Sequence, residues 1–269
     1  MGVKTPAEVV EAMGAACAVK AGMRGPRLLV SGFLAGAYIA IGGLLAILIG
    51  KGVAPAVVDG VRYAGWGRLL FAAVFPVGLM LVVVAGAELF TGNTAILVPG
   101  VLSGRAPVRG LLRNWALSYA GNFAGALFVA FALSYWTGLC AGEPYLSAVR
   151  AMAVDKTGLP FGVAFWRGVG CNWLVCLAVW MAAAADDVGA KILAVWFPIM
   201  AFVGLGFEHS VANMFFIPNG MLYGAEVGVG AFLLRNLLPV TLGNIVGGAF
   251  FVGVLSWWLN GRPASITSG

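Results

Sequence analysis

The chain has 269 residues, of which 61% are hydrophobic and only 10% are charged, and its mean hydropathy is +0.98. Soluble globular domains carry about 25% charged residues, so this composition excludes a soluble domain and places the chain in a membrane. The net charge of +6 comes from basic residues scattered over loops and flanks, which argues against nucleic-acid binding.

The first 27 residues predict a short amphipathic helix. The stretch Thr5-Pro6-Ala7-Glu8 matches a capping box with proline at the first helical position. Apolar side chains then recur at helical spacing, at Val9, Val10, Met13 and Cys17. The segment lacks the apolar core of a cleavable signal peptide. We therefore expect residues 1–27 to form an interfacial helix lying on the membrane.

Six apolar segments follow, each long enough to cross a bilayer as a helix of about 20 residues. They lie near 28–50, 69–103, 111–137, 161–185, 189–223 and 229–259. They form one channel domain, 28–260, which a short tail, 261–269, follows. The basic residues before the first span and in the second connection favour a multi-pass protein of the cytoplasmic (inner) membrane, with both termini in the cytoplasm.

The two halves of the apolar region share an order of residues. Residues 75–93 read FPVGLMLVVVAGAELFTGN, and residues 197–213 read FPIMAFVGLGFEHSVAN. Each stretch precedes the pattern Arg-Asn-x7-Asn, at Arg113, Asn114 and Asn122 and again at Arg235, Asn236 and Asn244. Each half has three spans, and an odd number forces the second half into the opposite orientation. We therefore predict inverted repeats at about 28–137 and 161–259.

The second and fifth spans are too long for one straight helix. Proline and glycine interrupt them at corresponding places, Pro76–Gly86 and Pro198–Gly206. Non-helical backbone at this depth persists only where it is buried in protein or lines a cavity. We expect the second halves to start at Glu88 and Glu208, with the carboxylates capping backbone N–H groups. Two helix N-termini that face one centre would attract a small anion.

The chain has a single histidine, His209, and Leu89 occupies its place in the first half. An ionisable residue inside a span is expected to be functional. A catalytic zinc site needs three protein ligands and a serine hydrolase needs an elbow such as GxSxG, and the sequence has neither. The four cysteines show no CxxC spacing. We therefore predict no enzyme, no metal site and no cofactor.

Several stretches resemble those of the formate/nitrite transporter family over nearly the whole chain. They are AGAELFTGN, NWALSYAGNFAGAL, GCNW, GFEHSVANMFFIP and RNLLPVTLGNIVGGA. The resemblance implies an all-α polytopic membrane protein with an aquaporin-like protomer of six transmembrane helices, the second and fifth of them broken. It also implies a homopentamer in membrane lipid, with one pore in each protomer.

The resemblance also implies roles for individual residues. His209 matches the central pore histidine, and Thr91 matches the threonine that faces it. The polar residues matched around this pair are Asn172, Asn213 and Glu208. Lys156, in the loop before the fourth span, matches a lysine that draws anions inward. The apolar residues matched to two constrictions, above and below, are Phe75, Leu79, Leu89, Val175 and Phe202.

The function that this resemblance implies is transport of a small monovalent anion, with formate as the first choice. Nitrite and hydrosulfide are the alternative substrates. The sequence is consistent both with a channel and with a proton-coupled carrier. An aquaporin-like channel for neutral solutes is disfavoured because the chain has no paired NPA motif. All three anions have neutral conjugate acids, which escape most of the cost of moving a charge through an apolar ring. The expected cycle is attraction, protonation near His209 and passage of the neutral form.

Overall fold

A computed structural model describes residues 3–54, 56–58, 61–63 and 65–261. The α-helices are α1 (Pro6–Gly22), α2 (Gly25–Gly50), α3 (Gly65–Val74), α4 (Val77–Ala85), α5 (Phe90–Leu102), α6 (Val108–Phe128), α7 (Tyr145–Thr157), α8 (Phe161–Ala184), α9 (Val188–Leu205), α10 (Ser210–Leu222), α11 (Leu238–Ile245) and α12 (Leu255–Asn260). Segments with π-helical bonding are Val129–Tyr135 after α6, Ala231–Leu237 before α11 and Val246–Val254 between α11 and α12. Two short strands, β1 (Ala56–Val58) and β2 (Val61–Tyr63), form an antiparallel hairpin between α2 and α3.

Six helical segments of the described chain are long and apolar enough to cross a membrane. They are Gly25–Gly50, Gly65–Ala85, Val108–Tyr135, Phe161–Ala184, Val188–Leu205 and Ala231–Asn260. They agree with the predicted spans and confirm the predicted fold class. The assignment of Lys156 to a loop was wrong, because this residue lies in the last turn of α7, between the third and fourth spans.

The spans alternate in direction, so the bundle has two distinct ends. One end, here called the terminal face, carries α1 and the connections α5–α6 and α8–α9. Ion pairs join these parts, since Lys4 lies 2.6 Å from Asp186 and Glu11 lies 2.5 Å from Arg105. The other end, here called the opposite face, carries the β-hairpin, α7 and the C-terminal end of α10.

Helix α1 has the predicted cap, but its apolar side does not lie on the membrane. Thr5 accepts a hydrogen bond from the Glu8 backbone N–H, and the Glu8 carboxylate accepts one from the Thr5 backbone N–H at 2.7 Å. The four predicted apolar residues are buried, and α1 packs against α5. Gly100 allows this approach, because a Cβ there would overlap Cys17. Helix α1 is therefore packed into the protein at the terminal face.

Glycine, rather than proline, ends the first half of each broken span. Gly86 follows α4 with φ at 78°, and Gly206 follows α9 with φ at 74°. Glycine adopts this left-handed conformation without steric cost. Helix α9 continues through Pro198, whereas a turn at Pro76 separates α3 from α4. The fifth span is therefore broken within the predicted interruption Pro198–Gly206, at its glycine end.

The two repeats pack their helices through equivalent glycine contacts. In the first repeat α2 crosses α6, and a Cβ at Gly36 would overlap the backbone of Asn122. In the second repeat α8 crosses α11, and a Cβ at Gly243 would overlap the carbonyl of Phe165. Close backbone approach of this kind is typical of helix packing in membranes. It brings α6 and α11 near the two chain breaks, where the candidate site lies.

Candidate functional site

Two asparagines, one from each repeat, hold the starts of the half-helices α5 and α10. Asn122 accepts a hydrogen bond from the Phe90 backbone N–H at 2.9 Å and donates to two backbone oxygens. Asn244 accepts one from the Ser210 backbone N–H at 2.9 Å and also donates to two backbone oxygens. A buried helix start leaves N–H groups that need partners. The repeated Arg-Asn-x7-Asn pattern thus supplies the side chains that stabilise both starts.

The carboxylate of Glu208 does not cap a helix, and the predicted start of α10 at this residue was wrong. Helix α10 begins two residues later. Glu208 is only 4% exposed, and its carboxylate accepts hydrogen bonds from Lys156 Nζ at 2.9 Å, Asn213 Nδ2 at 2.7 Å and Asn236 Nδ2 at 3.3 Å. The donors are therefore side chains rather than backbone N–H groups. They join α7 and the segment before α11 to the first turns of α10.

Glu88 makes the equivalent set of contacts in the first repeat, where the predicted helix start was wrong for the same reason. Helix α5 begins at Phe90. The Glu88 carboxylate accepts hydrogen bonds from Lys20 Nζ at 2.5 Å, Asn93 Nδ2 at 2.8 Å and Asn114 Nδ2 at 3.3 Å. Lys20 belongs to α1, as Lys156 belongs to α7. The equivalence therefore extends the inverted repeat to α1 and α7.

His209 caps the start of α10 with its side chain. Its Nδ1 accepts a hydrogen bond from the Ala212 backbone N–H at 2.9 Å, and its Nε2 lies 3.0 Å from Thr91 Oγ1. Because Nδ1 is an acceptor, the neutral ring carries its proton on Nε2 and donates it to Thr91. The Thr91 hydroxyl hydrogen is then available to another acceptor. The sequence did not predict this cap, because histidine is not among the preferred N-cap residues. The signal that could have predicted it is the match of His209 to Leu89, which is the N-cap of α5 in the first repeat.

Asn172 holds the backbone of Thr91 in place through hydrogen bonds. Its Nδ2 donates to the Thr91 backbone oxygen at 3.2 Å, to Thr94 Oγ1 at 2.9 Å and to the Asn244 backbone oxygen at 2.6 Å. The side chain is fully buried and ties the start of α5 to α11. The arrangement therefore makes Asn172 a positioning residue for Thr91, whereas Asn213 lines the cavity described next.

A cavity of about 590 Å³, here called the vestibule, extends from the opposite face to His209. Its outer part is lined by the end of α2 and the start of α3, including Lys51 and Arg68. At its inner end the rings of Phe75 and Phe202 meet edge to face, with 5.8 Å between their centroids. The Phe202 ring also stacks on the His209 imidazole at 5.9 Å. The histidine thus lies where the vestibule narrows.

Beyond the two phenylalanines lies a second, much smaller space of about 10 Å³. A single water needs at least about 10–15 Å³, so the space is at the lower limit for one molecule. All five predicted constriction residues line it, together with Ile39, Ile199 and His209: Phe75, Leu79, Leu89, Val175 and Phe202. Phe75 and Phe202 border both spaces, whereas the other three border only the smaller one.

Six spans, two half-helices that meet at a polar pair, and a vestibule that ends in apolar side chains define a multi-pass membrane transport protein. A family model described as formate/nitrite transporter matches residues 7–258. Over 269 residues the chain is 49% identical to the "Probable formate transporter" of Methanothermobacter thermautotrophicus, with 95% of this chain and 96% of that protein covered.

Solved structures agree with this match. One, described as an "FNT family ion channel", has a TM-score of 0.84 and 34% identity, covering 95% of this chain and 99% of that chain. Another, a "Pentameric formate channel with formate bound", has a TM-score of 0.74 and 31% identity, covering 87% and 97%. The chain belongs to the formate/nitrite transporter family, which is a family of transporters and channels rather than enzymes.

Proposed function

We propose that the protein carries formate across the cytoplasmic membrane, by protonation near His209 and passage of formic acid through the apolar side chains. One observation carries the proposal: Thr91 Oγ1 and His209 Nε2 are 3.0 Å apart at the inner end of the vestibule. The names of a relative that transports formate and of a similar structure that holds formate support this substrate. Nitrite, which the family description includes, is the second candidate.

The apolar side chains set the main barrier in this proposal. Moving an anion into an apolar environment costs several kcal/mol even after relaxation, whereas its neutral acid escapes most of that cost. Phe75, Phe202 and Leu89 offer no hydrogen bond to replace the lost hydration. Protonation of the anion must therefore precede its passage. Among the described residues that line the smaller space, His209, which is bonded to Thr91, is the one with a polar side chain.

His209 acts in this proposal by orienting Thr91 and not by supplying the proton. Its Nδ1 already accepts the Ala212 N–H, so loss of the Nε2 proton would leave an imidazolate anion. The Nε2–H instead donates to Thr91 Oγ1, and this directs the Thr91 hydroxyl hydrogen toward the anion. The proton that converts formate to formic acid then comes from the bulk solution, as hydronium that reaches the anion through the vestibule. The Lys156–Glu208 pair keeps α10, and with it the imidazole, in place.

We further propose that the terminal face lies in the cytoplasm. Two groups of basic residues belong to that end of the molecule, and cytoplasmic connections carry an excess of lysine and arginine. They are Lys20, Arg24 and Arg27 before the first span, and Arg105, Arg109 and Arg113 after α5. The vestibule would then open to the outside, and lipid would surround the six spans.

The proposed function is tested by flux of three anions in one preparation. Purified protein in liposomes is exposed to formate, nitrite and hydrosulfide at a common pH, and initial uptake is compared with that of protein-free liposomes. We expect formate uptake to exceed the control and to rise with the inward proton gradient. Formate uptake equal to the control would overturn the proposal, and faster nitrite or hydrosulfide uptake would reassign the substrate.

We infer a homopentamer in which each protomer has its own pore, because the similar structure that holds formate is described as pentameric. Native mass spectrometry of the protein in mild detergent is expected to show five chains. A stable monomer or tetramer under those conditions would contradict this inference.

Phe202→Ala is expected to raise formate flux or to relax selectivity toward larger anions. The change removes the ring that separates the vestibule from the smaller space and that stacks on His209. Truncation of a buried phenylalanine costs about 3–5 kcal/mol of stability, so assembly is checked first by size-exclusion chromatography. Trp166→Ala, on the exposed side of α8, is the control. Unchanged flux and selectivity in the folded Phe202 variant would remove this ring from the pathway.

A further inference from the structure

Arg68 lies outside the central site, at the outer part of the vestibule, where a hydrogen bond holds its side chain. It lies in the first turns of α3 and lines the vestibule. Its Nε donates a hydrogen bond to the Gly204 backbone oxygen at 2.9 Å. Gly204 lies near the end of α9, so this bond joins the second span to the fifth. The guanidinium is thereby held at the opening that an entering anion must pass.

Lys156, a cation in the inner part of the vestibule, already forms an ion pair with Glu208. Its Nζ lies 2.9 Å from Glu208 Oε1 and 5.5 Å from the centroid of the Phe216 ring, and its side chain is 16% exposed. The charge of Glu208 therefore offsets that of Lys156. An anion outside the pair meets little net attraction from it.

Arg68, in contrast, has no carboxylate within ion-pair distance among the residues that the structure describes. Of the other charged residues that line the vestibule, Lys51 adds a second exposed cation, with its Nζ 5.7 Å from the centroid of the Phe71 ring. Among the described residues, Asp155 is the one lining acid besides Glu208, and it is outside ion-pair distance of Arg68. The described lining of the outer vestibule therefore has an excess of positive charge, centred on α3 and the end of α2.

The geometry of the guanidinium also suits one class of anion. Arginine has five N–H donors, and the bond to Gly204 occupies only the one on Nε. The two terminal nitrogens have no hydrogen-bond partner among the residues that the structure describes. Their parallel N–H bonds match two oxygens of one planar anion. A Cβ added at Gly206 would lie 3.6 Å from Arg68 Nη2, in van der Waals contact, so the glycine places no side-chain atom beside this nitrogen.

We propose that Arg68 is the outer anion-binding residue and that it selects planar anions with two oxygens. The inference rests on the proposed function, because it takes the permeant anion as its ligand. Formate and nitrite present two coplanar oxygens to the fork, whereas hydrosulfide presents a single sulfur. Arg68 therefore acts at capture, before the anion reaches Thr91 and His209, and it affects half-saturation rather than maximal rate.

The test compares Arg68→Gln, Arg68→Lys and a matched control, Arg150→Gln, in liposomes. Arg150 has its Nε bound to the Tyr223 backbone oxygen at 2.6 Å, but it lines a different pocket at the opposite face. Initial uptake of formate, nitrite and hydrosulfide is measured against concentration at fixed pH and ionic strength. We expect Arg68→Gln to raise the half-saturation concentration for formate and nitrite by about tenfold, with the maximal rate unchanged. Hydrosulfide capture is expected to change less, and Arg68→Lys is not expected to restore formate or nitrite capture, because an ammonium lacks the fork of parallel N–H bonds.

Three outcomes would overturn the assignment: an unchanged half-saturation concentration for formate and nitrite in Arg68→Gln, an equal rise in Arg150→Gln, or full rescue of formate and nitrite capture by Arg68→Lys. The last result would show that charge alone suffices. Wild-type protein that transports none of the anions would overturn the proposed function instead. Size-exclusion profiles of each variant establish that assembly is the same.

Discussion

Replacing His209 by asparagine is expected to leave a folded protein whose formate flux is lower at every pH between 5 and 8. Asparagine is a favourable N-cap residue, so its side chain can replace Nδ1 as the acceptor of the Ala212 N–H. It is too short to reach Thr91 as well. A lost buried hydrogen bond of about 1–3 kcal/mol corresponds to about a 5- to 150-fold lower rate if it is made in the transition state.

The shape of the pH profile is expected to stay the same. In the wild-type protein, a proton added to His209 must go to Nδ1, where it would displace the Ala212 N–H and disturb the start of α10. The imidazole therefore stays neutral, and both proteins follow only the supply of protons to the anion. Formate uptake into liposomes across pH 5–8 is measured for both proteins after size-exclusion chromatography. Superimposable profiles, scaled only by the amount of folded protein, would refute the proposed role of His209.

Lys156→Met is expected to lower the free energy of unfolding by about 3–5 kcal/mol. The substitution keeps most of the side-chain volume but leaves the carboxylate of Glu208, which is 4% exposed, without its cation. An uncompensated buried charge is more costly than the absence of the whole pair. Unfolding in detergent is followed by a denaturant titration monitored through the nine tryptophans.

A second substitution, Glu208→Gln, is expected to recover much of the stability that Lys156→Met removes. The amide oxygen can still accept hydrogen bonds from Asn213 and Asn236, and no net charge remains buried. Lys20→Met is the matched comparison, because Lys20 and Glu88 form the equivalent pair at the terminal face. Lys20→Met is expected to lower the free energy of unfolding by a similar amount without altering the vestibule. Additive effects of the Lys156 and Glu208 changes would contradict the inferred coupling.

Several parts of the fold were predictable from the sequence because their signals are local. Apolar runs of the length of a bilayer gave six spans that the structure confirms. The repeated Phe-Pro, Gly-x-Glu and Arg-Asn-x7-Asn stretches predicted the inverted repeat and the two broken helices. The family resemblance directed attention to His209 and Thr91, which lie 3.0 Å apart, and to the five apolar residues around the smaller space.

The detailed errors arose where a nearby signal competed with a distant partner. Glu88 and Glu208 stand beside helix starts and therefore suggested caps, but their carboxylates bind lysines of α1 and α7 instead. The apolar side of α1 suggested a membrane surface, but it packs on α5.

By itself the sequence determined the membrane class, the number of spans, the internal repeat and the place of the single histidine. Hydropathy, helix breaking and capping depend on residues within one or two helical turns, so they can be recognised without the fold. Tertiary structure alone decided which charged groups find partners: Lys20 with Glu88, Lys156 with Glu208, and Arg68 with a carbonyl 136 residues further along the chain. Such pairs form only when packing brings distant segments together, because their free energy depends on burial and distance and not on the adjacent sequence.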